Sequence, residues 1–256
     1  MTRTTAFSRL FNAVALAGSF AFTSSALFAA SQGEDAPKAG PSPSPVSAMA
    51  VTPLRIELPS DTSAETVMVR NTTAAPLAVQ MRLFGWSQTD GEDVYTPSSD
   101  LLVSPSIVSI PAGQTQIVRV TRKSGATAGE KRFRLVVDQL PDPARARPGT
   151  TQTRIRFVLP MFVDRDRAAP ADFAWRLTDA GLELDNNGGA TARIVKIAVT
   201  GPDGRVVPVE KNALRYVLGS STIGWPIGEG CSIGPVRVTA EIDGRTVDAE
   251  PVPACG

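Results

Sequence analysis

The stretch "RIRFVLPMFV" places Ile155, Phe157, Leu159, Met161 and Val163 on one side of the chain and Arg154 and Arg156 on the other. Side chains repeat every second residue only in an extended backbone, so this alternation predicts a strand with one dry and one wet face. "LAVQMRLFGW" repeats it, with Leu77, Val79, Met81 and Leu83 opposite Gln80 and Arg82. "RFRLVV" sets Phe133, Leu135 and Val137 against Arg132 and Arg134, and "VRVTAEI" sets Val236, Val238, Ala240 and Ile242 against Arg237, Thr239 and Glu241. Turn clusters such as "TDGED", "IPAGQ" and "LPDPARARPG" break the runs at spacings typical of a β-sandwich. No capped amphipathic segment is long enough to be a helix, so the expected fold class is all-β.

A chain of 256 residues, 42% of them hydrophobic, can fill one large core or two ordinary ones. "DRDRAAPAD", just after Val163, is charged and then rich in Pro and Ala, which is the composition of a hinge. Beyond it "GLELDN", "ARIVKIAVT", "RVVPV", "LRYVL" and "VRVTAEIDGRTV" open a second set of strands. The expected layout is two immunoglobulin-like β-sandwich domains in series, residues 49–165 and 173–256, joined by a hinge over 166–172.

Ahead of them, residues 1–30 carry Arg3 and Arg9, then an apolar stretch, then small residues, which is the layout of a secretory signal. Ser19, Thr23, Ser24 and Ser25 weigh against a membrane anchor, and the cut could follow Ala26, Ala29 or Ala30. Residues 31–48, rich in Pro, Ser, Gly and Ala, read as a flexible leader. In an exported chain the two cysteines, Cys231 and Cys255, are expected to be joined, contributing about 3 kcal/mol in the chain-entropy account.

Composition narrows the function. With 26 basic and 25 acidic residues, no global field steers the chain to nucleic acid or an anionic membrane. The absence of histidine removes the commonest general base and metal ligand, and two thiols without it make a poor metal site. Asp90, Glu92 and Asp93 are the carboxylates a glycosidase would need, but they sit in "TDGEDV", which is turn chemistry. An adhesion or carbohydrate-binding module would cluster exposed aromatics. Only 6% of residues are aromatic, and Trp86, Trp175 and Trp225 are far apart in sequence and read as core or corner residues. No catalytic residue, cofactor, metal or small-molecule substrate is expected.

The order of local features goes further. "VTPLRIEL" has an arginine on a first strand; in "ETVMVRNTTAAPLAVQMRLFGW" Asn71 closes the second strand and Trp86 ends the third. "LLVSPSIVSIPAGQTQIVRV" gives a Pro-led strand, a Pro-x-Gly corner and a strand ending in an arginine; "GEKRFRLVVDQLP" gives a Glu-led strand ending in an aliphatic–Pro corner. In this sequence of features the chain resembles the PapD-like periplasmic chaperones that assemble pili by the chaperone–usher route. "LPMFV", "LDNNGGATARIVKI", "LRYVLGSSTIGWPI" and "VRVTAEIDGRTV" resemble the archaic, Csu-type branch, which serves spore-coat-protein-U-like pilins.

The resemblance implies a PapD-like boomerang arrangement of the two domains, a periplasmic location, and pilin subunits and an outer-membrane usher as partners. It implies that a chaperone strand completes the subunit's incomplete fold by β-addition. That strand falls on Thr151, Thr153, Ile155 and Phe157. The two threonines would fill an apolar groove poorly, so either the groove is shallow there or Met49 and Val51 share the work. The family's arginine for the subunit's terminal carboxylate falls on Arg55. Its lysine falls on Pro160, which leaves Arg156, or Arg154, as the substitute cation. Glu130 matches an acidic residue of an interdomain ion pair, with Arg165 as partner and Arg167 as the alternative. Other readings are an exported two-domain adhesion protein and a scaffold without strand donation.

Overall fold

The structure, a computed structural model, describes residues 48–142 and 153–256. The expected signal segment, the leader up to residue 47 and Thr151 lie outside the described residues.

The first domain is built from β1 (Met49–Thr52), β2 (Ile56–Leu58), β3 (Ala64–Asn71), β4 (Leu77–Thr89), β5 (Glu92–Pro97), β6 (Leu101–Ser104), β7 (Ile107–Ile110), β8 (Thr115–Arg122), β9 (Lys131–Gln139) and β10 (Arg156–Val163). One sheet runs β1-β3-β8-β6. The other runs β2-β10-β9-β4-β5, with β7 also on β4. The alternating residues meet between them: Val67, Val69, Val118 and Val120 from the first sheet, Met81, Leu135, Val137, Leu159 and Met161 from the second. Met49 and Val51 are buried in this core, so they are not free to fill a partner's groove.

Two sequence expectations need correction here. The segment "VTPLRIEL" is not one strand. Pro53 has no N–H to continue a ladder, and the chain changes sheets there: β1 pairs with β3 and β2 lies parallel to β10. Arg55 therefore sits in the bend just before β2. The strand holding Trp86 also runs on to Thr89, paired with β5.

The "PAGQ" corner joins strands of different sheets, since β7 pairs with β4 and β8 with β3. Gly113 takes a positive φ of 70° there, which a side chain would strain. Buried Asn71 organises the crossing: its Nδ2 donates to the carbonyls of Ala75 (2.8 Å), Ile110 (2.9 Å) and Pro111 (3.2 Å), and its Oδ1 accepts from Thr73.

The second domain contains β11 (Phe173–Thr178), β12 (Gly181–Asn186), β13 (Ala192–Thr200), β14 (Val206–Val207), β15 (Arg215–Val217), β16 (Ser221–Pro226), β17 (Arg237–Ile242), β18 (Arg245–Ala249) and β19 (Val252–Pro253). Its sheets run β16-β12-β11-β19 and β14-β13-β17-β18, with β15 also on β13. The opening strand, β11, is a short apolar alternation directly after the Pro/Ala-rich stretch, too brief to stand out in the sequence. Trp175 and Trp225, far apart in sequence, stack in the second core with ring centroids 5.9 Å apart. Cys231 and Cys255 are joined, with Cα atoms 6.0 Å apart. Among the described residues the only helical elements are 3₁₀ turns at Arg165–Arg167 and Gly230–Ile233.

Candidate functional site: the cleft and the open strand

The two domains meet over the outer face of the β10–β9–β4 sheet. On β10 the residues of that face are Arg156, Val158, Pro160 and Phe162; across the register they meet Asp138, Val136, Arg134 and Arg132 of β9. At the hinge end the face is aromatic. Phe162, Trp86 and Leu218 are buried together with Tyr216 packed on them, and Tyr216 stands edge-on to Trp86 at 5.3 Å. Arginines lie over this floor: Arg55 is 4.7 Å and Arg165 5.4 Å from the Phe162 ring centre, and Arg134 is 3.6 Å from that of Trp86. A guanidinium over a ring face gains electrostatically and keeps its edge N–H groups free to hydrogen-bond.

Arg55 also sits 2.6 Å from Glu57 and 3.9 Å from Asp243 of the second domain, so it lies at the mouth of the cleft. Ile56 is opposite Met161, which puts Arg55 level with Pro160. Arg156 is four residues further along β10, about 13 Å at the rise of a strand. The structure therefore does not bring Arg154 or Arg156 to Arg55. The cation at the level of Pro160 is Arg134, one strand inward. The sequence reading placed Arg132 and Arg134 on a wet face. In the folded chain Arg134 is buried, because the second domain covers that end of the sheet. Its Nε and the Trp86 Nε1 are buried without a hydrogen-bond partner, and its Nη2 reaches Asp93 at 3.3 Å. A cleft of about 430 Å³ opens here, lined by Gln88, Asp93, Tyr95, Arg134, Val158 and Tyr216 among others.

Glu130 is the polar centre of the junction. Its carboxylate takes Arg165 Nη1 at 2.5 Å, Arg132 Nε at 3.0 Å, the Thr191 N–H at 3.0 Å and the Thr191 hydroxyl. Arg132 Nη2 donates onward to the Gly189 carbonyl. The junction is packed so tightly that a Cβ on Gly219 of the second domain would fall 2.5 Å from Arg132 Nη2. A second tie comes from Gln88, whose amide donates to the Tyr216 carbonyl (2.8 Å) and accepts from the Leu218 N–H (3.0 Å). Arg215 adds a third by reaching the Gly91 carbonyl at 2.7 Å. Just before the hinge, buried Asp164 accepts from Thr127 N–H (2.7 Å) and Arg122 (2.9 Å). Burial alone would raise its carboxyl, but these hydrogen bonds outweigh it and hold the group below the usual carboxylate range.

The other end of β10 is different. Thr153 is exposed, and Ile155 and Phe157 are half-buried, resting on the edge of the first core. β2 pairs with β10 only over Met161–Val163, so the side of β10 away from β9 carries no strand over Arg156–Pro160 among the described residues. Val158 is 40% exposed. Arg156 and Arg82 both pair with Asp138, the latter at 2.6 Å.

Residues 48–166 match the model of the pili and flagellar-assembly chaperones, PapD N-terminal domain. The matched stretch is the first domain, which is a PapD-like N-terminal domain. Among solved structures the chain shares its fold with a chain of the CsuC–CsuE chaperone–tip adhesion subunit pre-assembly complex from archaic Csu pili of Acinetobacter baumannii. The two are 22% identical with a TM-score of 0.62, over 80% of this chain and 98% of that one. It also resembles a chain of the SafA pilin–SafB chaperone complex of Salmonella enterica (16%, TM-score 0.58, 82% and 98%). A third is the DraB chaperone of E. coli (18%, TM-score 0.56, 80% and 98%). No curated protein matches this chain in sequence.

Sequence reasoning missed Arg134, Gln88, Arg215 and Phe162. The available signal for Phe162 was in "PMFV", where an aromatic stands on the face assigned to arginines.

Proposed function

We propose that this chaperone, of the archaic branch, works in the periplasm on pilin subunits related to spore coat protein U. It completes each subunit with its own β10 segment and delivers the complex to an outer-membrane usher. The open edge of β10 carries this reading. Its N–H and C=O groups, without a strand partner among the described residues, offer main-chain pairing to a subunit that lacks a strand, and Ile155 and Phe157 stand beside that edge on the apolar face. Thr153 continues the same alternation outward, and Thr151 would extend it.

The subunit's terminal carboxylate is held at the cleft by Arg55. Arg134 stands where Arg156 was expected, because it shares Arg55's level and has a buried N–H to donate. A buried carboxylate needs such directional donors, since an unpaired buried charge costs several kcal/mol. Glu130 with Arg165 serves this function indirectly by fixing the cleft between the domains.

The test is co-expression with a spore coat protein U-like pilin and pull-down of the pilin by the full chain. Ile155→Asp with Phe157→Asp abolishes capture while the chaperone stays soluble. Arg55→Ala and Arg134→Ala each weaken capture sharply, with thermal melts as the folding control. Undiminished capture by the Ile155/Phe157 variant would leave the scaffold reading standing instead.

A further inference from the structure

The outward face of the open strand carries a charge pattern that donation alone does not require. Arg154 and Arg156 are two residues apart, so both project to the same face, beside the bare edge. Arg82 joins them from β4, two strands inward. One carboxylate, Asp138, answers two of the three: it accepts from Arg82 and Arg156 and is itself nearly buried. Arg154 has no ion pair among the described residues. Burial would raise the Asp138 carboxyl, but hydrogen bonds from Arg156 and Arg82 hold it below the usual range, so it stays charged and committed to those two. The cluster keeps an excess of positive charge at neutral pH. Val158, next on the same face, is apolar and 40% exposed.

The edge strand of the second domain makes a useful control. β18 carries one charge of each sign, Arg245 and Asp248: Asp248 accepts from Thr239 at 2.6 Å, and beside it Arg237 of β17 pairs with Glu250 at 3.1 Å. Charges that merely protect an edge from chance pairing can be of either sign and mutually satisfied. Those beside β10 are of one sign and only partly answered.

We propose that this edge selects its strand partner by charge: the pilin strand laid along β10 carries acidic side chains on its outward face at the levels of Arg154 and Arg156, followed by an apolar one at the level of Val158. The proposal rests on β10 being the donor. Directly opposed opposite charges on neighbouring strands stabilise the pairing, and like charges there oppose it. A partner strand in this register gains both acidic contacts, and a slip by one residue turns its acids into the groove. The pattern thus contributes to register as well as to choice of partner.

The experiment uses the full chain co-expressed with a spore coat protein U-like pilin, and compares Ile155→Asp/Phe157→Asp with Arg154→Glu/Arg156→Glu. The first pair reports on donation itself. The second is expected to weaken capture about tenfold at low salt, less at high salt, with recovery when the acidic residues of the pilin's edge strand are changed to lysine. If the first variant loses capture while the second captures like wild type at all salt concentrations, donation stands and charge selection is overturned. If the second variant dimerises yet still captures pilin, the arginines serve only to keep copies of the chaperone apart, and the proposal fails. Loss of capture without recovery by the lysine pilin also overturns it.

Discussion

In the first domain the last strand, β10, lies parallel to β2 over Met161–Val163, and among the described residues no strand covers Arg156–Pro160 on that side. In the second domain the last strand, β19, lies parallel to β11 at Arg176 and Leu177, the Ala254 N–H bonds the Leu177 carbonyl at 2.8 Å, and the Cys231–Cys255 bridge ties the end down. The interiors are alike by contrast. Each domain ends a strand with a buried asparagine whose Nδ2 holds nearby carbonyls: Asn71 at the end of β3, and Asn186 at the end of β12, which donates to Ala190 (2.8 Å) and Val217 (3.4 Å). Buried amides that satisfy orphan carbonyls stabilise a corner wherever a sandwich needs one. Two copies of one architecture thus differ at their closing strands, one sealed and one with an open edge among the described residues.

Breaking the junction that holds the copies together gives the largest expected effect. Glu130→Ala leaves Arg132 and Arg165 facing each other without their shared carboxylate and orphans the Thr191 N–H, a loss of about 3–5 kcal/mol. Calorimetry should show the wild-type transition split into separate meltings of the two domains. Glu130→Gln, which can still accept from Thr191, should lose less. A Glu130→Ala protein that melts like wild type would mean that the Gln88 and Arg215 ties suffice.

Unsealing the second domain comes next. Cys231→Ser with Cys255→Ser should lower that domain's stability by about 3 kcal/mol in the chain-entropy account. It should leave the first domain's melting and the proposed pilin capture in place. Alkylation of unreduced protein, read by mass, should find no free thiol in the native chaperone.

The smallest effect belongs to the open end of β10. Asp138→Asn should cost under about 1 kcal/mol at neutral pH, because its arginine partners are largely solvated. The Asp138 carboxyl is lowered in the folded chain, so its stabilisation is full above the ordinary carboxylate pKa and lost as pH falls through the lowered value. The gap between wild type and Asp138→Asn in urea titrations should therefore close on acidification. A gap that widened would reverse the sign assigned to this pair.

The period-two alternation alone determined that this chain is all-β, that it forms sandwiches, and which residues build each core, because extended geometry sends alternate side chains to opposite faces whatever lies beyond. Val67, Val137, Met161 and Val238 could be placed from their neighbours in sequence. The same rule cannot tell one outward arginine from another. Arg134 and Arg156 stand at equivalent positions of the pattern, on adjacent strands of one sheet, yet one is stacked on Trp86 under the second domain and the other projects into solvent beside an open edge. What separates them is the docking of residues more than 80 positions away in sequence, such as Tyr216 and Leu218. Pro53 shows the same limit at shorter range: it could be seen to interrupt a strand, but only the pairing of β2 with β10 placed Arg55 at the cleft. Local periodicity decides which face a residue takes, and tertiary packing decides what that face meets.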